Sequence, residues 1–407
     1  MKKVVIPKGA TATFIHSLPE SATPALAANF LANKGHKVAI LIEESIPKAE
    51  EWGEDIAAFL ESLNPQKKIE FFLFDCPPEN NHPDAFEKTC DRLTILSALL
   101  RNDLEKNTQI LIATTPEALI SPCPQQKLQQ ESELSLKAGM EYEFKKLCST
   151  LAVDFDYSSE ILCEEPGQFS VRGGLVDIYP VNASRPARID FFGNEIDEIR
   201  TFDPTTQRGE NKIDELIISS AKSNEKNELE GEFFEYLTQP TTWIFREPEQ
   251  LVSRFPLVFH TSNNKANRQA SFANAMNRKN ANLDQFMGSS EIRAGEGIFQ
   301  NCDMLELPVQ AIHNLKLDNP QMDIGSARFE SEKKQRTSYL FELLKKQDEN
   351  FEITIAAGAE SEQKRISEII AEESSLSRLK PNFLPIGLKE SFQIQAEGNH
   401  GYFNLLV

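Results

Sequence analysis

The sequence lacks any paired-cysteine motif. Its six cysteines, Cys76, Cys90, Cys123, Cys148, Cys163 and Cys302, never stand in a C-x-x-C arrangement. The six histidines lie near neither one another nor a cysteine at metal-ligand spacing, so neither a zinc site nor a small disulfide scaffold is expected. Reduced thiols and a cytoplasmic location are the simple reading. Long apolar runs are missing too: no segment approaches the roughly 20 residues that cross a bilayer, and the Lys2-Lys3 start leads into no signal-peptide-like stretch. No membrane partner is expected. Basic charge is scarce, with 43 Lys and Arg against 62 Asp and Glu for a formal net charge of −19. Such a field repels phosphate and anionic lipid headgroups, which disfavours nonspecific nucleic-acid binding while leaving room for a local basic groove.

Glycine is short where nucleotide chemistry would need it. A phosphate-gripping loop uses a glycine-rich turn and a Lys-Ser/Thr pair so that backbone amides can wrap the anion. The loop after the first expected strand, Ala12 to Ile15, reads His16-Ser-Leu-Pro-Glu-Ser-Ala-Thr-Pro24. It holds neither glycine nor lysine; Pro19 and Pro24 bring no amide proton, and Glu20 would repel a phosphate. Gly295-Glu-Gly297 lacks the third glycine of a dinucleotide site. Glu43-Glu44 and Glu164-Glu165 are carboxylate pairs of the kind that abundance produces, expected on solvated surfaces or loops. No nucleophile, base and orienting group assemble, so no catalytic, cofactor-binding or metal-binding residue is assigned, no cofactor is expected, and the chain is read as a non-enzyme.

What is present is enough apolar material to fold. Hydrophobic residues make up 40% of the 407 and charged residues 26%, with 27 Phe against 6 Tyr and 2 Trp. That length suggests roughly two to four domains. Helix-like and strand-like segments alternate at first: a helix over 25–34, a strand over 37–42, a helix over 50–63, a strand over 69–74, a helix over 91–104 and a strand over 109–113. Strands separated by helices imply parallel pairing with crossovers.

From about Glu131 the pattern changes. A short helix around 140–151 precedes four candidate strands, at 169–172, 175–179, 187–192 and 195–202, and Gly193-Asn194 is a hairpin signal between the last two. Residues 222–232 are charged and suit a linker or exposed loop. Strands are expected again at 242–245 and 257–259, with 262–281 a loop or exposed helix. A last unit starts near Gly325, with a helix over 329–346, a strand over 351–356 and a helix over 361–373. The apolar strand pattern of 401–407 suits a fragment that stops at or within a strand.

The stretch from Glu165 to Pro180, EPGQFSVRGGLVDIYP, followed by Arg188 to Arg200, RIDFFGNEIDEIR, and Phe202 to Arg208, FDPTTQR, resembles the UvrB-homology insert of bacterial transcription-repair coupling factors. UvrB carries the same insert but keeps an intact phosphate loop, which this chain lacks. Weaker similarity runs through Asp91-Arg92-Leu93, 110–119 and 351–370. The resemblance implies an α/β fold: a degenerate P-loop NTPase-like (UvrB-like) domain formed by 1–130 and 222–324, interrupted by a β-rich α+β insert at 131–221, then a third small α/β domain at 325–407. It implies an N-terminal fragment that binds UvrA and thereby recruits excision repair to stalled RNA polymerase. RNA polymerase and DNA would be reached only through other regions of a whole protein that is an ATP-dependent DNA translocase. A monomer is expected. The alternative is a UvrB-like ATP-dependent helicase with an unconventional phosphate loop.

Strand alternation gives an independent reason to look at one face of the insert. Arg188, Asp190 and Phe192 project to one side of their strand and Ile189 and Phe191 to the other, which should face the core. Aromatic and arginine side chains on an exposed face are the types enriched at protein-protein hot spots. The resemblance assigns UvrA contact to Arg172, Arg188 and Phe192. The plainer reading is that the arginines form surface ion pairs with neighbours such as Asp190 and that Phe192 packs within its hairpin.

Overall fold

The computed structural model describes residues 12–15, 22–78, 83–100, 107–127, 133–221, 231–255, 284–288, 303–305, 309–311, 351–372, 380–386, 392–395 and 402–406. The first segment gives β1 (Ala12–Ile15), α1 (Thr23–Lys34), β2 (Val38–Ile42), α2 (Ile46–Leu63), β3 (Lys68–Phe74), α3 (Ala85–Leu100), β4 (Thr108–Thr114) and α4 (Pro116–Ile120). Next come β5 (Glu133–Lys137), α5 (Phe144–Ser149), β6 (Ser158–Ser159), β7 (Gln168–Arg172), β8 (Leu175–Ile178), β9 (Ala187–Phe192), β10 (Glu195–Phe202), β11 (Gly209–Lys212) and β12 (Glu215–Ser219). The chain continues through β13 (Thr241–Arg246), α6 (Pro248–Arg254), β14 (Asp284–Gly288) and β15 (Asp303–Leu305). It ends with β16 (Val309–Ala311), β17 (Phe351–Ala356), α7 (Glu360–Glu372), β18 (Asn382–Leu384), β19 (Phe392–Gln395) and β20 (Tyr402–Leu406).

Seven parallel strands form one sheet in the order β15-β1-β14-β13-β2-β4-β3. Every residue of β2 and β4 is buried, as the apolar runs VAILI of β2 and ILIA within β4 require when both faces are covered. Ala39, Leu41, Leu111 and Ala113 join the core under α1 and α2. Val38, Ile40, Ile42, Ile110 and Ile112 join the opposite core, with Ile95, Leu96 and Leu99 of α3 and with Trp243 and Phe245 of β13. Each fully buried Val, Leu, Ile or Phe among these contributes about 1.5–3 kcal/mol.

Helix α3 starts six residues before the expected Asp91. The extra turns have a tertiary cause: Cys90 sits in the core of the insert, and the Phe86 ring lies where a Cβ on Gly167 would meet it at 3.0 Å. One helix therefore serves two cores. Arg92 fixes its position, donating to the Asp75 carbonyl, to Ser121 Oγ (3.1 Å) and to the Pro122 carbonyl (3.2 Å) while stacking 4.2 Å from the centre of the Phe74 ring.

The insert holds a six-stranded sheet, β11-β10-β9-β8-β7-β6, and the two-stranded β12-β5. Strand β5 has no counterpart in the sequence reading. Its register, Glu133 opposite Ser219 and Lys137 opposite Glu215, ties the beginning of the insert to its end, and Cys123 bridges Gly231 just outside. The helix expected over 140–151 is also shorter. Residues 139–142 instead run beside β10, with Gly139 N–H donating to the Ile196 carbonyl (2.7 Å) and Tyr142 N–H to that of Asn194 (2.8 Å). Only Phe144–Ser149 is α-helical, followed by a π turn over Thr150–Asp154.

The remaining sheet is mixed, in the order β16-β19-β20-β17-β18. Strand β16 pairs with β19, so this sheet draws on residues before Gly325. Leu384 of β18 and Ile386, two residues beyond it, pack into the core under α1 and α2. Residues 16–21, 101–104, 222–230, 257–259, 262–281, Gly295-Glu-Gly297 and 329–346, all subjects of expectations above, lie outside the described residues.

Candidate protein-docking surface

Two hairpins of the insert end side by side. In β7–β8, Arg172 pairs with Leu175 across Gly173-Gly174; in β9–β10, Phe192 pairs with Glu195 across Gly193-Asn194. Gly173 and Gly193 have φ of 62° and 68°, the left-handed backbone that a two-residue hairpin asks of its first central residue. Phe191 N–H donates to the Gly174 carbonyl at 2.9 Å, and a Cβ at Gly174 would stand 2.9 Å from the Phe191 carbonyl oxygen. Absence of a side chain there lets the two tips close together.

Register decides which side chains share a face. Leu175 is opposite Asp190, and Asp177 opposite Arg188, so Arg172, Leu175, Asp177, Arg188, Asp190 and Phe192 all project to one side. The other side carries Val176, Ile178, Ala187, Ile189 and Phe191 into the core, where Phe191 meets Phe144 of α5 edge to face at 5.3 Å. Arg172, Arg188 and Phe192 thus stand on the same outward face, as strand alternation implied for the last two.

Their environments differ. Phe192 is 82% exposed at the sheet tip. Arg172 is exposed, donates from Nη2 to the Ile161 carbonyl at 2.8 Å, and among the described residues has no carboxylate within ion-pair distance. Arg188 grips Asp177 with two bonds, Nε to Oδ1 at 2.6 Å and Nη2 to Oδ2 at 2.8 Å, and lies 5.0 Å over the Phe202 ring. Hydrogen bonding to Asp177 raises its pKa above the ordinary arginine value. Its partner is not Asp190, because Asp177 faces it directly across the strands while Asp190 sits two residues along the same one. Asp190 and Glu198 instead pair with Arg200, at 3.9 and 3.0 Å.

A second constellation lies where β2 and β13 end. The Glu43-Glu44 pair lies in the loop after β2, one of the two positions expected for it, but Glu43 is only 2% exposed and so is not solvated. Adjacent parallel strands bring Arg246 to 3.5 Å from it, and Arg246 stacks 3.9 Å over Trp52. Burial pushes the Glu43 carboxyl up to about 7, with Arg246 pulling partly downward. Glu44 pairs with Lys48 and Arg254. Residues 43, 44, 48, 246, 247, 250 and 251 line a small open cleft. Its charged groups are largely matched to one another. Glu164 and Glu165, by contrast, are exposed.

Ordered hairpins, a shared outward face and the motif sequence at their tips fall within a recognisable unit. Residues 134–223 match the UvrB interaction domain. The chain is also similar to proteins named transcription-repair-coupling factor. The one from Bacillus subtilis (strain 168) is 28% identical over 193 residues, 47% of this chain and 16% of that protein. Those from Staphylococcus haemolyticus and Staphylococcus aureus (strain Mu50) are 27% and 26% identical over 202 and 213 residues, 49% and 52% of this chain and 16% and 17% of theirs. The match therefore spans about half of this chain and about one sixth of these relatives. Within the interaction domain, the sequence reading passed over Ile161 and Leu162, which are 86% and 40% exposed; an apolar pair among polar residues was the available signal. Among the described residues, no helix is long and apolar enough to cross a membrane.

Proposed function

We propose that this chain binds UvrA through the outward face of its interaction domain, and that in the whole protein this contact brings excision repair to stalled RNA polymerase. The carrying observation is that Arg172, Arg188 and Phe192 project from one sheet face, with Phe192 82% exposed at its tip. In this reading Phe192 is the apolar anchor, Arg172 offers a cation to a partner carboxylate, and Arg188, braced by Asp177, holds the face in register. RNA polymerase and DNA are engaged by other regions of the whole protein, and the chain acts as a monomer in the cytoplasm.

The parallel sheet serves as a scaffold, a degenerate P-loop NTPase-like domain without ATPase activity. This is supported by the loop sequence His16 to Pro24, which has neither the glycines nor the lysine that grip a triphosphate. Titrating the 407-residue chain with UvrA, and assaying ATP hydrolysis on the same sample, tests both parts. Saturable binding with no hydrolysis above buffer is expected. Absence of binding overturns the docking reading, and hydrolysis favours a UvrB-like ATP-dependent helicase instead.

A further inference from the structure

The turn between β6 and β7 places two apolar side chains in solvent. It is pinned on both sides: Glu160 N–H donates to the Phe169 carbonyl at 2.8 Å, and the Cys163 thiol to the Gln168 carbonyl at 3.3 Å. Between those ties Ile161 is 86% exposed and Leu162 40%. The Ile161 carbonyl accepts the Arg172 Nη2 bond, so the turn lies against the face from which Phe192 projects. Strands β7 and β9 are two strand spacings apart, about 10 Å, well within the span of one partner. An isoleucine left this open gains nothing in the fold, yet the turn that presents it is fixed.

We propose that Ile161 is a second apolar anchor for the partner that Phe192 engages, and that Arg172 acts partly by holding the turn that carries it. This rests on the UvrA-docking reading and deepens it by specifying the surface recognised: an apolar hollow for Ile161 and one for Phe192, flanked by a carboxylate. Charge supplies the last element. Arg172 has no carboxylate of its own among the described residues, in a chain whose formal charge is −19, so the complementary anion comes from the partner.

Titration of UvrA with the 407-residue chain and its Ile161→Ala, Phe192→Ala, Arg172→Ala and Ile161→Ala/Arg172→Ala variants tests this. Ile161→Ala is expected to weaken binding about tenfold and Phe192→Ala about 30-fold, with unchanged melting temperature for Ile161→Ala. The double variant should lose less than the product of its two single losses, because Arg172 places Ile161. Binding by Ile161→Ala within twofold of the parent, while Phe192→Ala is weakened, overturns the second anchor and leaves the docking face standing. Unchanged binding in both overturns the face itself. Fully multiplicative losses in the double variant overturn the holding role of Arg172.

Discussion

The parallel sheet and the sheet of the interaction domain use arginine in opposite ways. In the first, both faces are covered, and Arg246 is enclosed against Trp52 and a buried Glu43. In the second, the outward face is covered around Asp177 and Arg188, which match each other across the ladder, and opens at its tips, where Phe192 is exposed and Arg172 donates only to the Ile161 carbonyl. A sheet covered on both sides is apolar on both faces, whereas one with a wet face alternates and can present polar and aromatic side chains outward. In the proposed function, that difference separates scaffold from docking surface.

The largest effect expected comes from Arg188→Ala. Removing the guanidinium strands Asp177, whose side chain is 4% exposed, and breaking such a pair costs about 4 kcal/mol. Thermal unfolding should show it as early melting of the interaction domain, and loss of UvrA affinity would follow from that. Wild-type melting with weakened binding would instead make Arg188 a direct contact and blur the distinction between Arg188 and Arg172.

Glu43 gives the next effect, on the scaffold side. Its carboxyl is raised from the ordinary 4.5 to about 7, chiefly by burial, so the folded state prefers the protonated form. Its contribution is fully present below about pH 4.5 and is lost as pH rises through about 7, a change on the order of 3 kcal/mol. Glu43→Gln should flatten that part of the stability-pH curve measured by denaturant unfolding. The same decline in the variant would show that Glu43 is not the group responsible.

Phe192→Ala should cost about 2 kcal/mol of UvrA binding, roughly 30-fold, while leaving thermal stability within experimental scatter because the ring buries little in the free chain. A smaller, kinetic effect concerns the thiols. Burial raises Cys90 and Cys163 to about 12 and Cys123 to about 11, so all three should react with an alkylating reagent at neutral pH only on unfolding. Rapid labelling in the native chain would show these cores to be open.

Much of this was legible in the chain itself. The strands over 169–172, 187–192 and 195–202 were readable because apolar and polar residues alternate there and glycine punctuates the tips, and β2 and the ILIA centre of β4 because apolar runs signal burial on both faces. Strand β5 was not: Glu-Leu-Ser-Leu-Lys is too short to declare itself, and it exists because β12, about 80 residues later, pairs with it. The early start of α3 depends likewise on contacts made to the insert. On the outward face, the side taken by Phe192 and Arg188 was readable from alternation, but that of Arg172 and the environment of Arg188 depended on which residues of β8 came opposite them.

The sequence by itself determined the alternation that sorts the interaction domain's strands into an inner and an outer face, and the absence of phosphate-binding groups after β1, because both are properties of neighbouring residues. Tertiary structure alone decided which charges are matched: Glu43 meets Arg246, Asp177 meets Arg188, and Arg172 turns to the Ile161 carbonyl. Those outcomes follow from cross-strand register and burial, which bring together groups about 10 to 200 residues apart and which no local pattern encodes.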